Sequence, residues 1–514
     1  MGISGVVTAV MRFALFQSAE RAAGRLRDAL TDPARRERAI IISLACYVLL
    51  WSIYAAISKS AQGLHPDMTE VVAWSRDLSF GYFKHPPLAA WLAWIWFSVF
   101  PVADWAFYLL AMLMPATTLW IVWRLSTDYL DADRRIAAVA LLTFVPFFNF
   151  HALKFNVNTV LLPLWAATAW FFLRSVRTRS AGWAALAGIA AAGAMLGKYW
   201  SIFLLLGLAL AALIDRRRFD YLRSPAPYVT AISGSILLAP HIVWLAEHKF
   251  APFSYATTAH AQQPFVAVLH SALSYVLGSI GYAIIPIVVV FALARRSQRT
   301  LTEMVWPADD DRRLLASALW GPLILPAAGA IIAGTEITSL WSMPALSLLP
   351  ALLLSSPAVT IRAIDTRRIL VAAMALPLVM LIASPVIMVM VQRAGPPPAA
   401  AHGRLLTAEV ERLWRQATPQ KLRFVGGEED LVDGVVTYAA DRPRPLIGMF
   451  KPDAADLAKS GLVLVCFAGG ASCQHEAAVR GAAATSVETE IVRNFAGIAG
   501  KPQRYTIVIV PPRS

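Results

Sequence analysis

Apolar stretches close to 20 residues long recur through this chain, separated by short loops whose basic residues are almost all arginine. The first, "IIISLACYVLLWSIYAAIS" at 40–58, shows the type. A helix needs about 20 such residues to cross the hydrocarbon core. A chain in lipid must satisfy its backbone polar groups internally, which leaves helices for a pattern with this period. The sequence predicts eleven spans, near 39–57, 104–124, 136–150, 157–173, 181–197, 199–214, 226–246, 268–294, 314–333, 339–355 and 369–391. Charged residues make up only 15% and hydrophobic ones 58%, against about 25% charged in soluble domains. The fold class is therefore an all-α polytopic membrane protein. The net charge of +14 is spread over loops and is not clustered as a nucleic-acid surface would be.

The run 86–101 opens with Pro86-Pro87 and is short, so it is expected to lie at the membrane edge or re-enter it. That choice places the arginine groups at 124–135, 174–179, 216–223, 295–299, 312–313 and 362–368 on the side of the N-terminus, which the positive-inside rule makes cytoplasmic. The opposite loops carry mostly lysine: Lys59, Lys84, Lys154, Lys198 and Lys249. Residues 1–38 lack a cleavable leader pattern and are expected to form a cytoplasmic amphipathic segment, with Arg21, Arg25 and Arg27 toward one side.

The pattern ends near 395. "AGPPPAAAHG" reads as a linker, so 39–394 forms the membrane domain and 395–514 a small α/β domain on the outer side. Leu405–Gln416 reads as helix, and "LRFVGG", "VDGVVTYAA", "LVLVCFA" and "RYTIVIVPP" as strands. Cys466 and Cys473 fall in this domain, and an oxidising compartment predicts a disulfide between them rather than two thiols. A zinc site is disfavoured, because only His475 is close by.

Ionisable groups near membrane depth are costly and default to functional hypotheses. The external loop 58–103 holds Asp67 and Glu70, three apart on one helix face. Asp67 could equally be a helix cap, with Glu70 closing a capping box. Lys84 and His85 precede the stiff Pro-Pro step. Other outer turns bring His151, Lys154, Asn156 and Asn158, then Lys198 and Tyr199, then His241 and His248, and Glu336. Lys198 is equally readable as a snorkelling helix-end lysine, and His241 as a helix–helix hydrogen bond. The group suits an anionic lipid head: lysines for phosphate and a carboxylate to take a proton. No phosphate-binding glycine loop or dinucleotide fingerprint is present, so an activated donor would arrive within the membrane.

"DMTEVVAWSRDLSFGYFKHPPLAAWL", "LGKYWSIFLLLGLAL" and "LLAPHIVWLAEHKFAPFSY" together resemble the lipid-linked-sugar glycosyltransferases of GT-C fold. The nearest group is the bacterial protein O-mannosyltransferase, aminoarabinose transferase and Rgt-type galacturonosyltransferase set, over roughly residues 40–350. The resemblance implies inverting transfer of a sugar from a polyprenyl-phosphate donor to a cell-envelope lipid, glycan or protein, such as lipopolysaccharide, in a bacterial inner membrane. It places the base on Asp67, with Glu70 as second candidate, and donor phosphate at Lys84, His85, Lys198 and Tyr199. His151, Lys154, Asn158, His241, His248 and Glu336 are further pocket candidates. The chain departs from the family at Met68, Lys84 and Asn158, where acidic residues are usual. The residues fix no cofactor, and the divalent metal used by some relatives stays open. Competing readings are a transporter or flippase of lipid-linked sugars and a non-catalytic envelope assembly protein.

Overall fold

The computed structural model describes residues 3–259, 261–295, 298–446, 450, 452–470, 473 and 484–513, with backbone only for 3–16 and 298–300. His260 and His475 lie outside the described residues. The membrane part runs α1 (Ile3–Thr31), α2 (Arg36–Ser58), α3 (Pro66–Ser75), α4 (Leu88–Val99), α5 (Asp104–Leu125) and α6 (Ala132–Leu142). It continues α7 (Val157–Thr178), α8 (Ala181–Gly197), α9 (Ile202–Ile214), α10 (Arg218–Leu222), α11 (Ala226–Glu247) and α12 (Ala251–Ala259). Then come α13 (Phe265–Tyr282), α14 (Ile284–Leu293), α15 (Gln298–Val305), α16 (Asp310–Ala333), α17 (Leu349–Leu354) and α18 (Ala363–Ala394).

Seven of these helices are long and apolar enough to cross a membrane: α2, α5, α7, α11, α13, α16 and α18. Fewer helices reach spanning length than the eleven expected runs. The run 136–150 ends as helix at Leu142, ahead of Pro146, which cannot continue a helical ladder. The run 268–294 breaks at Ala283 into α13 and α14. The run 339–355 becomes two 3₁₀ turns and the short α17, with Pro344 and Pro350 inside it. Helices α8 and α9 are apolar but have 17 and 13 residues. Helix α4 has 12 residues, about 18 Å of rise, too short for a bilayer core of about 30 Å.

Large aromatics fill the centre, with Trp51, Phe107, Trp123, Phe148 and Trp165 almost fully buried. Small residues set the closest crossings. At Gly188 in α8 a Cβ would stand 2.2 Å from the Thr230 carbonyl oxygen of α11, so only glycine allows the two backbones this near. At one end of the bundle the arginine-rich loops are tied together by carboxylates. Arg27 grips Asp133 with two bonds of 2.7 Å. Arg174 holds Asp128 at 2.9 Å, and Arg177 and Arg217 both reach Asp311, at 3.1 and 2.6 Å.

The C-terminal part comprises α19 (Pro398–Ala417), β1 (Phe424–Gly427), α20 (Glu429–Tyr438), β2 (Arg444–Pro445), α21 (Ala454–Ser460), β3 (Leu462–Phe467), β4 (Thr485–Ile491), the hairpin β5 (Asn494–Phe495) and β6 (Ile498–Ala499), and β7 (Gln503–Val510). Its mixed sheet has the order β2-β1-β3-β7-β4, with β1 parallel to β2 and β3, and β7 antiparallel to β3 and β4. Alternation along β3 sends Val463 and Val465 to the face covered by α19 and α20. Leu462, Leu464 and Cys466 go to the other face. Cys466 is disulfide-bonded to Cys473, and Cys46 is free. "VDGVVTYAA" is helix α20, not a strand. Its Leu431, Val432, Val435 and Val436 form a helical stripe that packs on the sheet, and this stripe overrides the β propensity of Val, Thr and Tyr.

The C-terminal part sits on the loop between α2 and α4. The Tyr438 hydroxyl accepts the Leu64 amide at 2.8 Å and donates to Asp104 at 3.1 Å. Arg404 also pairs with Asp104, and Arg493 donates to the Ser60 carbonyl at 2.8 Å.

Gly188→Val is expected to force α8 from α11 and lower stability by about 1–3 kcal/mol, the usual cost of overpacking. Thermal unfolding in detergent measures it, and an unchanged transition would contradict the close crossing.

Candidate functional site

Helix α3 starts at Pro66, and its cap position is His65, whose Nδ1 lies 3.2 Å from the Asp67 amide nitrogen and 3.2 Å from Asp67 Oδ1. The reading of Asp67 as cap with Glu70 closing a capping box is therefore corrected. Proline at the first helical position, with its fixed φ and no N–H to satisfy, puts the cap at His65, two residues upstream of Asp67. Asp67 is left in the first turn with its side chain 39% exposed. Its Oδ2 accepts from Asn156 Nδ2 at 2.8 Å and lies 3.1 Å from Lys154 Nζ, while Oδ1 lies 3.2 Å from His65. Burial pushes this carboxyl upward, but the bond to His65, the Lys154 charge and the Asn156 amide outweigh it and hold it well below the usual carboxylate range. Asn156 in turn caps α7, accepting the amides of Asn158 and Thr159. Asn156, not Asn158, is the loop residue that touches Asp67.

Glu70 points elsewhere. Its Oε1 accepts from Lys84 Nζ at 2.7 Å, and the same ammonium lies 2.7 Å from Glu429 of α20. Asp433, one turn further along α20, is 1% exposed, and its Oδ1 has no hydrogen-bond partner among the described residues. Burial, despite Lys84 and with Glu429 and Asp67 adding repulsion, pushes Glu70 up to about 7. Burial and the charges of Glu70 and Glu429 raise Asp433 well above the ordinary range. Glu70, Glu429 and Asp433 place oxygens within 4.8 Å of one another, a spacing that could hold a cation. Lys84 already stands between two of them, so the cluster carries its own positive charge and fits a metal ion poorly. Sequence reasoning missed Glu429 and Asp433, because reading 432–440 as a strand hid their i, i+4 spacing.

Lys84 and His85 also line a 560 Å³ cavity with Lys198, Tyr199, Glu336 and Trp341. These groups give the lining its polar part, while Ile202, Phe203, Ala330 and Ala333 give it an apolar part. Lys198, in the turn after α8, donates to Asn158 Oδ1 at 2.8 Å and sits 4.7 Å from the Trp341 ring centre. Burial brings it down to about 8 against the attraction of Asp67, so it remains largely cationic at neutral pH. Tyr199 O–H stands 3.0 Å from His241 Nε2, and His241 Nδ1 is 2.6 Å from the Phe80 carbonyl. The carbonyl can only accept, so Nδ1 carries the proton and Nε2 accepts from tyrosine. His241 thus ties α11 to the loop by hydrogen bonds.

A separate 240 Å³ cavity is lined by Lys59, His65, His151 and Lys154. His151 packs against Phe147 and Tyr282, and burial followed by Lys154 lowers its pKa. His248 is not part of either cavity. Its Nδ1 is 2.8 Å from the Trp244 carbonyl, and it faces a third space, beside Trp74. The structure thus gathers Asp67, Lys154 and Asn156 in one group, and Lys84, His85, Lys198, Tyr199 and Glu336 around one cavity.

Residues 84–244 match the family described as dolichyl-phosphate-mannose-protein mannosyltransferase. No curated protein sequence matches the chain. Among solved structures, ArnT from Cupriavidus metallidurans in the apo state superposes with a TM-score of 0.59 at 12% identity, over 92% of this chain and 99% of that one. The same protein bound to undecaprenyl phosphate gives 0.58 at 13% identity, with the same coverage of both chains. Over 92% of its length the chain therefore has the multi-pass membrane fold of ArnT, and its residues 84–244 resemble the mannosyltransferase family.

Proposed function

We propose that this protein moves a sugar from a polyprenyl-phosphate donor to a cell-envelope acceptor, with Asp67 receiving the acceptor's proton. The observation that carries the reading is the half-open Asp67 carboxylate, fixed by Lys154 and Asn156 and close enough to Lys198 for the two charges to attract. The apolar residues lining the 560 Å³ cavity suit a prenyl chain, and Lys198 and His85 in the same lining suit the phosphate. That ArnT has been solved with undecaprenyl phosphate supports this choice of donor class.

In the proposed step the acceptor oxygen bonds to the anomeric carbon from the face opposite the phosphate. The carbon–oxygen bond to phosphate breaks, its electron pair stays on phosphate beside Lys198, and the hydroxyl proton passes to Asp67. A carboxylate held so far below its ordinary range is a weak base toward a resting hydroxyl. It works by orienting that hydroxyl and accepting the proton late, when bond formation has made it acidic. The transporter reading is disfavoured by the gathering of polar groups at one end of the bundle. By the arginine distribution the N-terminus is cytoplasmic in a bacterial inner membrane, and the C-terminal part is outside with the site. Residues 1–38, 39–394 and 395–514 then serve as cytoplasmic segment, transfer domain and outer domain. The Lys84 cluster gives no support to a metal-dependent step.

Asp67→Asn is expected to fold normally and lose transfer by about 10²–10⁴-fold, the range for a positioned base. Parental turnover in that variant, measured with radiolabelled prenyl-phosphate sugars, would remove Asp67 from the step.

The pH profile separates the two carboxylates. A base must be deprotonated, so a Glu70 base would make the rate rise through about pH 7. Asp67 is ionised throughout, and the expected rate shows no acid limb between about pH 5 and 8.

Lys198→Ala is expected to raise the donor KM by about tenfold or more, since charge-assisted bonds contribute about 1.5–3 kcal/mol. An unchanged KM would place the phosphate elsewhere.

A further inference from the structure

We infer that the third cavity, between the outer loop, the end of α11 and the C-terminal part, is a saccharide-binding subsite for the glycan portion of the acceptor. It has a volume of 330 Å³ and is lined by α3, the segment 79–83, Trp244, His248, Arg444 and Phe450. This is the small end of the range for ligand pockets, with room for a short saccharide rather than a lipid chain.

Its walls are flat rings. Trp74 and Tyr82 stack with centroids 5.3 Å apart and planes within 13°. Trp244 and His248 stack at 4.3 Å and 20°. Gly81 sets this surface, because a Cβ there would stand 2.3 Å from the Trp244 ring. The indole therefore lies directly against the loop backbone. Trp74, Tyr82 and Trp244 are only 6, 9 and 6% exposed, so they form a packed apolar wall that can meet the C–H groups of a pyranose ring.

Its polar rim is built for hydroxyls. Asp77 Oδ1 and Arg444 Nη2 are 3.9 Å apart, beyond hydrogen-bond distance, with side chains 55% and 49% exposed. One offers acceptors and the other a fork of donors, which together can bracket neighbouring hydroxyl groups. The Arg444 guanidinium also sits 5.1 Å from the Phe450 ring centre, which fixes its plane at the rim.

The placement explains why the site needs the C-terminal part. Phe83 lines this space, while the next two residues, Lys84 and His85, line the 560 Å³ cavity, so the segment 81–85 is the partition between them. Helix α3 carries Asp67 at one end and Trp74 at the other, about 10 Å along its axis. Assignment to the acceptor rests on the proposed transfer, whereas saccharide binding itself does not.

The test is saturation-transfer difference NMR on the full chain in detergent without donor. The probes are methyl glycosides, disaccharides and trisaccharides of glucose, galactose and mannose, with their uronic acids. At least one probe is expected to receive saturation at ring C–H protons. Arg444→Ala is expected to weaken it about tenfold or more. A half-exposed pair contributes little to stability, so parental thermal unfolding is expected in Arg444→Ala and Asp77→Asn. No binding by any probe, or parental binding in both rim variants, would overturn the subsite whatever becomes of the transferase reading. Saccharide binding without any transfer from prenyl-phosphate sugars would overturn the transferase reading and the acceptor assignment.

Discussion

A single ammonium group, Lys84 Nζ, stands 2.7 Å from Glu70 of α3 and 2.7 Å from Glu429 of the C-terminal part. Around it lie three carboxylates, one of them the buried Asp433. Taking one charge from such a group strands the others, which typically costs about 3–5 kcal/mol in a buried pair. Burial pushes the Asp433 carboxyl well above its ordinary range and Glu70 up to about 7. This arrangement makes the loop's course depend on a domain more than 300 residues further along the chain.

The rest of the site follows from that fixed course. With Glu70 held on one side of α3, the first turn of the helix presents Asp67 toward Lys154 and Asn156. With Lys84 turned toward the C-terminal part, its neighbour His85 and the distant Lys198 line the same cavity. Phe80, just upstream, is held by His241, so α11 and the C-terminal part grip the same loop from two directions. A short apolar helix, α4, follows the Pro-Pro step and gives the loop a base without crossing the bilayer core.

Much of this was legible before the structure. Apolar run length exposed the membrane class, and the quoted loop named Asp67, Glu70, Lys84 and His85 together. Polar residues at helix ends picked out Lys154, Lys198 and Tyr199, all of which line or adjoin the site. What failed has physical causes. Hydropathy counts apolar residues without seeing where a helix breaks, so 268–294 and 339–355 read as single spans. A Pro at the first helical position moved the cap from Asp67 to His65. In α20 the β-branched residues concealed a helix, although Leu431, Val432, Val435 and Val436 already carried its period. Pairings such as Lys84 with Glu429 span the whole chain, and no local pattern announces them.

Hydrogen–deuterium exchange of the α3 amides, in the parent and in Glu429→Gln and Lys84→Met, tests most directly whether the C-terminal part holds the loop that carries Asp67. Losing either charge should raise exchange across 66–75 while leaving the amides of α5 and α7 protected as in the parent. Parental protection of 66–75 in both variants would contradict the dependence of the loop on this ammonium–carboxylate cluster.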